Sequence, residues 1–252
     1  MTANEPSHIE DSWYKRSFDS QYPLVYAHRT IEAAAREAAF AAVQLNLRPG
    51  EQLLDLCCGN GRHMVHLLRH ACAVTGLDWS EALLSEARGI LESEAALVRG
   101  DMRDLPFENA FDAVTNFFTS FGYFMDDAEN ARVVEQVSRA MKPGGRFFID
   151  HVNAAFIRKT LVPESTREYN EYRIEERRWL DATRRRVNKV TKVWRSGEPT
   201  GEWSESVRLY EPEEFRAMLA NAGLFVDRVF GDYDGALMGV SRPRMIVTGH
   251  KE

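Results

Sequence analysis

The sequence predicts an α/β fold, doubly wound around a mostly parallel sheet, with an N-terminal helical lid and an antiparallel β insert. Three observations predict it. The run Leu53-Leu54-Asp55-Leu56-Cys57-Cys58-Gly59-Asn60-Gly61-Arg62-His63 is apolar until two closely spaced glycines, then helix-like, which is the order strand, tight loop, helix. A second apolar stretch, Ala71 to Leu77, follows one helix later and delivers Asp78, nineteen positions beyond Gly59. After Asn153 the strand–helix alternation stops, and runs rich in β-branched and aromatic residues follow one another.

Residues to about Ser12 are mostly polar, and Trp13 to Arg29 is rich in aromatics (Trp13, Tyr14, Phe18, Tyr22, Tyr26), too much apolar surface for a plain leader. Thr30 is placed as the N-cap of an alanine-rich helix to Leu47, closed by Pro49-Gly50. The first strand and glycine loop come next, then the strand ending at Asp78. Ser80 caps a helix to about Leu91, and Phe111 to Phe118 forms the fourth strand of the series. An amphipathic helix covers Asp126 to Met141, and Pro143-Gly144-Gly145 ends it before a strand from Arg146 to Asp150. Strands at Tyr169–Trp179, Val187–Trp194 and Glu202–Tyr210, separated by Asp181-Ala182-Thr183 and Gly197–Gly201, make the insert. Pro212 opens a helix ending at Gly223, and Leu224–Phe230 and Met245–Thr248 close the sheet.

Composition bounds the function. A chain of 252 residues, 44% hydrophobic, buries a full core. The stretch Met1–Pro6 lacks the basic segment and apolar core of a signal peptide, and no uncharged run is long enough to span a bilayer, so a cytoplasmic protein without a membrane partner is expected. Three cysteines, two of them adjacent, give no disulfide framework. The net charge of −6 disfavours nucleic acid as a partner. Arg177, Arg178, Arg184, Arg185, Arg186, Lys189, Lys192 and Arg195 are dense around Asp181, but Glu171, Glu175, Glu176, Glu198, Glu202 and Glu205 flank them, as on a solvated face of antiparallel strands. His63, His66 and His70 share helical spacing, yet no carboxylate motif accompanies them, so no metal is expected.

The glycine loop carries the chemistry. Glycines at 59 and 61 let backbone approach a ligand where a Cβ would collide, and a helix start offers it N–H groups. A nucleotide-like cofactor suits such a loop. The dinucleotide fingerprint needs a small residue at position 64, where Met64 stands, which sets a nicotinamide oxidoreductase behind other readings. Arg99-Gly100-Asp101-Met102, Phe111-Asp112-Ala113-Val114-Thr115-Asn116-Phe117-Phe118 and Met141-Lys142-Pro143-Gly144-Gly145 then follow at βα spacing. With these motifs in this order, from about Leu53 to Asp150, the chain resembles the Rossmann-like S-adenosylmethionine-dependent methyltransferases, small-molecule type with an insert after the fifth strand.

The resemblance implies a seven-stranded sheet, S-adenosyl-L-methionine as cofactor and S-adenosyl-L-homocysteine as product. Gly59 and Gly61 would pass its methionine part, Asp78 would grip the ribose, and Asp101 would accept from the adenine amino group. Trp79 and Met102 would sandwich the adenine or else be core. Asn116 and Phe117 stand at the mouth of the fourth strand, Phe117 bordering the sulfonium. Asp55 either reaches the cofactor ammonium through water or caps the glycine loop. Tyr26 and Arg29, with Tyr14 and His28, either bind the cofactor carboxylate or staple the lid to the core. His151, after the fifth strand, is the candidate general base, its other reading a hydrogen-bonded histidine beside the insert. The resulting division is an arm and lid helix (1–46), a cofactor-binding core (47–153), an antiparallel cap (154–210) and the end of the core sheet (211–252).

The expected reaction is methylation of oxygen or nitrogen on a small-molecule acceptor, since Asn116-Phe117-Phe118-Thr119 lacks the proline pair of the DNA amino-methyltransferases and Ser120–Phe124 suits a compact organic molecule. An RNA or protein methyltransferase and a non-catalytic cofactor-binding regulator are the alternatives. Exposed-looking insert strands suggest a homodimer.

Overall fold

The computed structural model describes residues 9–18, 25–27, 29–70, 73–183 and 185–252. Tyr22, His28 and Arg184 lie outside the described residues. The elements are α1 (Tyr14–Ser17), α2 (Ile31–Gln44), β1 (Gln52–Leu56), α3 (Met64–Leu67), β2 (Ala73–Asp78), α4 (Glu81–Leu91), β3 (Ala96–Arg99), β4 (Phe111–Asn116), α5 (Asp127–Ala140), β5 (Met141–Val152), α6 (Ala154–Thr160), β6 (Glu164–Tyr169), β7 (Tyr172–Leu180), β8 (Arg186–Arg195), β9 (Glu198–Arg208), α7 (Pro212–Asn221), β10 (Leu224–Phe230) and β11 (Arg244–Lys251).

The large sheet has seven strands in the order β10-β11-β5-β4-β1-β2-β3, parallel except that β11 runs against both its neighbours. Strand order reverses between β1, which pairs with β2 on one side, and β4 on the other. That reversal is where a doubly wound sheet leaves a crevice at its carboxyl edge. Successive residues of β5 alternate between the two core halves. Phe147 and Ile149 pack with Leu54, Val114 and Phe215, whereas Phe148 packs with Leu53, Phe117 and Tyr233.

Helix starts follow from short polar side chains: Thr30 accepts from Ala33 N, Ser80 from Leu83 N and Asp126 from Ala128 N. The insert departs from the sequence reading in three places. Asn153 accepts from Ala155 N and Phe156 N and so starts α6, a helix the sequence reading passed over. The small sheet has four strands, β6-β7-β8-β9, with β6 unanticipated. The Gly197–Gly201 turn is shorter than expected: Ser196 and Gly197, with φ 52° and 87°, connect β8 directly to β9, and Pro199 is tolerated beside a register shift at Val193/Trp194. No described helix is long and apolar enough to cross a membrane.

The insert is fastened to the core through Arg186. Buried on β8, its guanidinium donates to the carbonyls of Phe124 at 3.0 Å, Gly122 at 3.2 Å and Tyr123 at 3.2 Å, and to the Ser206 hydroxyl at 2.8 Å. The lid is tied to both parts: Ser17 Oγ donates to the Ser204 carbonyl at 2.8 Å, and Trp13 Nε1 to the Tyr123 carbonyl at 3.3 Å.

Candidate functional site

A cavity of 340 Å³ opens at the carboxyl ends of β1, β2 and β4, roofed by Tyr14, Phe18 and Tyr26 of the lid. Of the residues singled out in the sequence, Tyr26, Arg29, Gly59, Asp78, Trp79, Asp101, Met102 and Phe117 line it. Asp55, Gly61 and Asn116 do not; they form the layer beneath. The two glycines therefore do different work. Gly59 (φ +56°) faces the cavity, and an added Cβ would meet only Leu83 Cδ1 at 3.9 Å. At Gly61 (φ +79°) a Cβ would sit 2.8 Å from Leu91 Cδ1, so this glycine lets α4 pack against the loop.

Asp78, at the end of β2, accepts from Gly59 N at 2.9 Å and from Ser80 N at 2.8 Å. Burial raises its pKa, and those backbone donors pull the other way. Asp101 is gripped by the Arg103 guanidinium (Nε to Oδ1 at 3.0 Å) and accepts from Arg103 N at 2.9 Å. Burial works to raise its pKa, but Arg103 outweighs it and holds the carboxyl low. Trp79 and Met102 flank these two acids on the cavity wall, with Lys15 Nζ 5.5 Å from the Trp79 ring. Phe117 stacks on His63, ring centroids 3.9 Å apart and planes within 10°. The His63 Nε2 lies 2.7 Å from Glu37 Oε2, and Arg62 donates to the same carboxylate oxygen at 3.0 Å. Burial depresses the His63 pKa to about 4, so the ring is a neutral support for Phe117.

Beneath the wall, Asp55 receives the Thr115 hydroxyl at 2.9 Å, and burial lifts its pKa to about 7. The loop-capping reading of Asp55 is not what the structure shows, since its bonded partner is a side chain of the neighbouring strand; Oδ2 has no partner among the described residues. Asn116 Nδ2 donates to the Leu56 carbonyl at 2.8 Å, which knits β4 to β1.

His151 is not brought to the cavity. It points into the opposite half of the core, among Phe121, Tyr210 and Phe215, with Nδ1 3.0 Å from the Val152 carbonyl, Nε2 without a hydrogen-bond partner among the described residues, and burial lowering its pKa to about 4. Strand alternation is the reason: the neighbour one position earlier, Asp150, faces the site side instead. Asp150 accepts from Phe118 N at 2.9 Å, the Tyr233 hydroxyl at 2.7 Å and Arg244 Nε at 2.6 Å, while its carbonyl accepts from Thr119 N at 2.8 Å. Phe118 and Thr119 are consecutive non-glycine residues in the left-handed region (φ 57° and 63°), a costly backbone that Asp150 and Arg244 hold in place.

A second cavity, of 370 Å³, lies between the core and the insert. It shares Phe18, Tyr26, Arg29, Phe118 and Tyr123 with the first, so the two meet across one aromatic wall. The Tyr26 hydroxyl donates to Glu205 at 2.8 Å and accepts from Lys189. The solvated-face expectation for the insert charges is half met. Lys192 pairs with Glu202 at 3.3 Å in the open, but Arg178 and Lys189 line this cavity.

The first cavity suits a nucleoside-like group. Its size is in the range of small-molecule sites. Two carboxylates stand at successive strand ends, a flat aromatic and a thioether flank them, and a glycine backbone forms the floor. These residues fit an adenosine bearing a sulfonium side chain. In agreement, the methyltransferase-domain family matches residues 53–145. The chain is 28% identical over 239 residues, covering 88% of it and 96% of the relative, to dTDP-3-amino-3,4,6-trideoxy-alpha-D-glucopyranose N,N-dimethyltransferase of Streptomyces venezuelae. Among solved structures it is similar to an S-adenosylmethionine-dependent methyltransferase from Clostridium acetobutylicum (TM-score 0.79, 19% identity, 92% of this chain and 96% of that one). It is also similar to a sugar N-methyltransferase from Streptoalloteichus (TM-score 0.70, 22% identity, 100% and 99%), both likenesses being of fold. With that domain set in a sheet of this order and the cavity at its switch point, the chain carries a methyltransferase domain in a Rossmann-like fold similar to that of S-adenosylmethionine-dependent methyltransferases.

Proposed function

We propose that the first cavity holds the cofactor, that the second holds the acceptor, and that a methyl group passes between them to oxygen or nitrogen of a small metabolite. The observation that carries this reading is the shared wall: Phe18, Tyr26, Arg29, Phe118 and Tyr123 line both cavities. The named relative that acts on an amino sugar supports nitrogen as the acceptor atom.

When bound, the cofactor supplies a methyl group already activated on a sulfonium. The protein's task is therefore alignment and exclusion of water. Asp78 offers carboxylate oxygens, already oriented by two backbone donors, to ribose hydroxyls. Asp101 accepts from the adenine amino group, and Trp79 and Met102 hold the ring faces. Arg29, its guanidinium 4.0 Å from the Tyr26 ring centroid and 4.8 Å from that of Phe118, is placed toward a carboxylate at the boundary. Phe117, backed by His63, excludes water from the transfer point. His151 takes no part, and a displacement on an uncharged amine needs no base before attack. Calorimetric titration with S-adenosylmethionine and S-adenosylhomocysteine tests the reading. Saturable binding to the wild type, strongly weakened in Asp78→Ala, is expected; a folded wild type that binds neither, and binds NAD instead, overturns it.

A further inference from the structure

We infer that the methyl acceptor carries an anionic group, a carboxylate or a phosphate, bound at the Arg167–Arg178 end of the second cavity while its nucleophilic atom lies at the Tyr26–Phe118 end. The inference rests on the assignment of that cavity to the acceptor.

The charge of the wall is the first observation. Among the described residues it carries five cationic side chains, Arg29, Arg167, Arg178, Lys189 and Arg244, against two carboxylates, Glu176 and Glu205. Asp150, behind Arg244, is a third carboxylate, and the excess stays positive when it is counted. The chain as a whole has net charge −6, so this is a local reversal of sign rather than a reflection of composition.

The way these groups share partners is the second. Glu176, almost fully buried, serves Arg167 at 2.8 Å, Arg178 at 2.5 Å and Lys189 at 3.8 Å. Lys189 reaches Glu205 at 2.7 Å as well. Glu176 and Glu205 together leave one of the three cations Arg167, Arg178 and Lys189 unneutralised, and the repulsion that remains in a half-buried cavity is relieved by an anion. Guanidinium forks are suited to the planar oxygens of a carboxylate or phosphate.

The third observation orients the acceptor. Side-chain exposure falls from 36% at Arg167 through 25% at Arg178 to 13% at Lys189, so the cavity opens at the arginine end and closes toward Tyr26. A charged group enters last and stays nearest water, and the uncharged part is pushed to the aromatic wall. An amine at the closed end is desolvated, which lowers its pKa and favours the neutral, nucleophilic form.

The test first loads the protein with S-adenosylhomocysteine, then titrates it by calorimetry with inorganic phosphate and, separately, with acetate. Wild type, Arg178→Gln and Glu205→Gln are compared, each checked by thermal unfolding. Saturable anion binding is expected, roughly tenfold weaker in Arg178→Gln and several-fold tighter in Glu205→Gln. Tighter phosphate than acetate assigns a phosphate-bearing acceptor, and the reverse order a carboxylate. Should Arg178→Gln fail to fold, the opposite-signed change in Glu205→Gln decides. A cofactor-loaded wild type that binds neither anion, or affinities equal across the three proteins, overturns the inference and leaves the methyltransferase reading standing. Failure of the loading step overturns both.

Discussion

The cavity over Gly59 and the cavity over Glu176 share a wall, yet they treat charge in opposite ways. Beneath and beside the first, burial drives Asp55 and His63 toward neutrality, Asp55 lifted to about 7 and His63 pressed to about 4, while on its wall Arg103 outweighs burial and holds Asp101 low. At the second, Glu176 is also desolvated, but Lys189, Arg178 and Arg167 outweigh that and keep it ionised, with its pKa lowered. The parallel core supplies the first cavity with strand ends and few counterions, whereas the antiparallel insert supplies the second with cross-strand charges turned inward. Such a division suits a flat, largely apolar donor on one side and a polar acceptor on the other.

The largest expected effect breaks the shared wall. Asp150→Ala leaves the Arg244 guanidinium and the Tyr233 hydroxyl without their carboxylate and frees Phe118 N. Loss of one partner of a buried pair costs about 3–5 kcal/mol, so thermal unfolding shows a large fall in midpoint. Because Phe118 borders both cavities, binding of S-adenosylhomocysteine and of phosphate both weaken in the protein that remains folded. Anion and cofactor affinities equal to wild type would separate the loop from the wall.

Asp78→Ala strikes the first cavity alone. Cofactor affinity is expected to fall by about a hundredfold, roughly 2.7 kcal/mol, since a ligand hydroxyl pair loses a charged acceptor and Gly59 N and Ser80 N lose theirs. Phosphate binding at the second cavity persists. If both ligands are lost together in a folded variant, the two cavities are one site.

Gly61→Ala sharpens the distinction between the wall of the first cavity and its foundation. The added methyl meets Leu91 Cδ1 at 2.8 Å with φ at +79°, and a cost of about 1–3 kcal/mol follows in unfolding experiments. Cofactor affinity of the folded protein stays within about threefold of wild type, because Gly61 lies under the cavity rather than in its lining. A large loss of affinity without loss of stability would move Gly61 into the wall.

How much of this was legible differs between the same two regions. The first cavity follows from spacing: an apolar run into Gly59, an acid at 78, another at 101, each at a strand end, with Trp79 and Met102 after the acids. Those positions are set by local chain geometry. For His151 the structure matches the hydrogen-bonded reading and not the base, a choice the sequence leaves open because which face of β5 meets the site is not encoded locally; a shift of one residue exchanges it with Asp150. The second cavity was read as a solvated charged face. Its residues alternate along β7, β8 and β9, and only the docking of the insert, through Arg186, decides that Arg178 and Lys189 turn inward while Lys192 turns out. α6 was hidden because its signal, Asn153 as a cap, is two side-chain bonds long.

Per pH unit, the smallest effect concerns protons. In the folded chain His63 and His151 titrate near 4 instead of 6.5, so between those values the unfolded state binds two more protons than the folded, and stability rises with pH. Asp55 has the opposite sign: its folded pKa near 7 lies above the ordinary 3.8, the folded state holds the extra proton, and stability falls with pH over the same window. Over these three groups the net is one proton, a contribution of about 1.4 kcal/mol per pH unit from pH 4 to 6.5, with the raised pKa of Asp78 acting in the same direction as Asp55. Asp55→Asn removes the opposing member of the three and is expected to double that contribution while leaving Thr115 an acceptor. Unfolding free energies measured at intervals across pH 4–6.5 decide it. An unchanged slope in Asp55→Asn would mean that Asp55 is ionised beneath the first cavity, and the contrast with Glu176 would then vanish, since both carboxylates would carry charge.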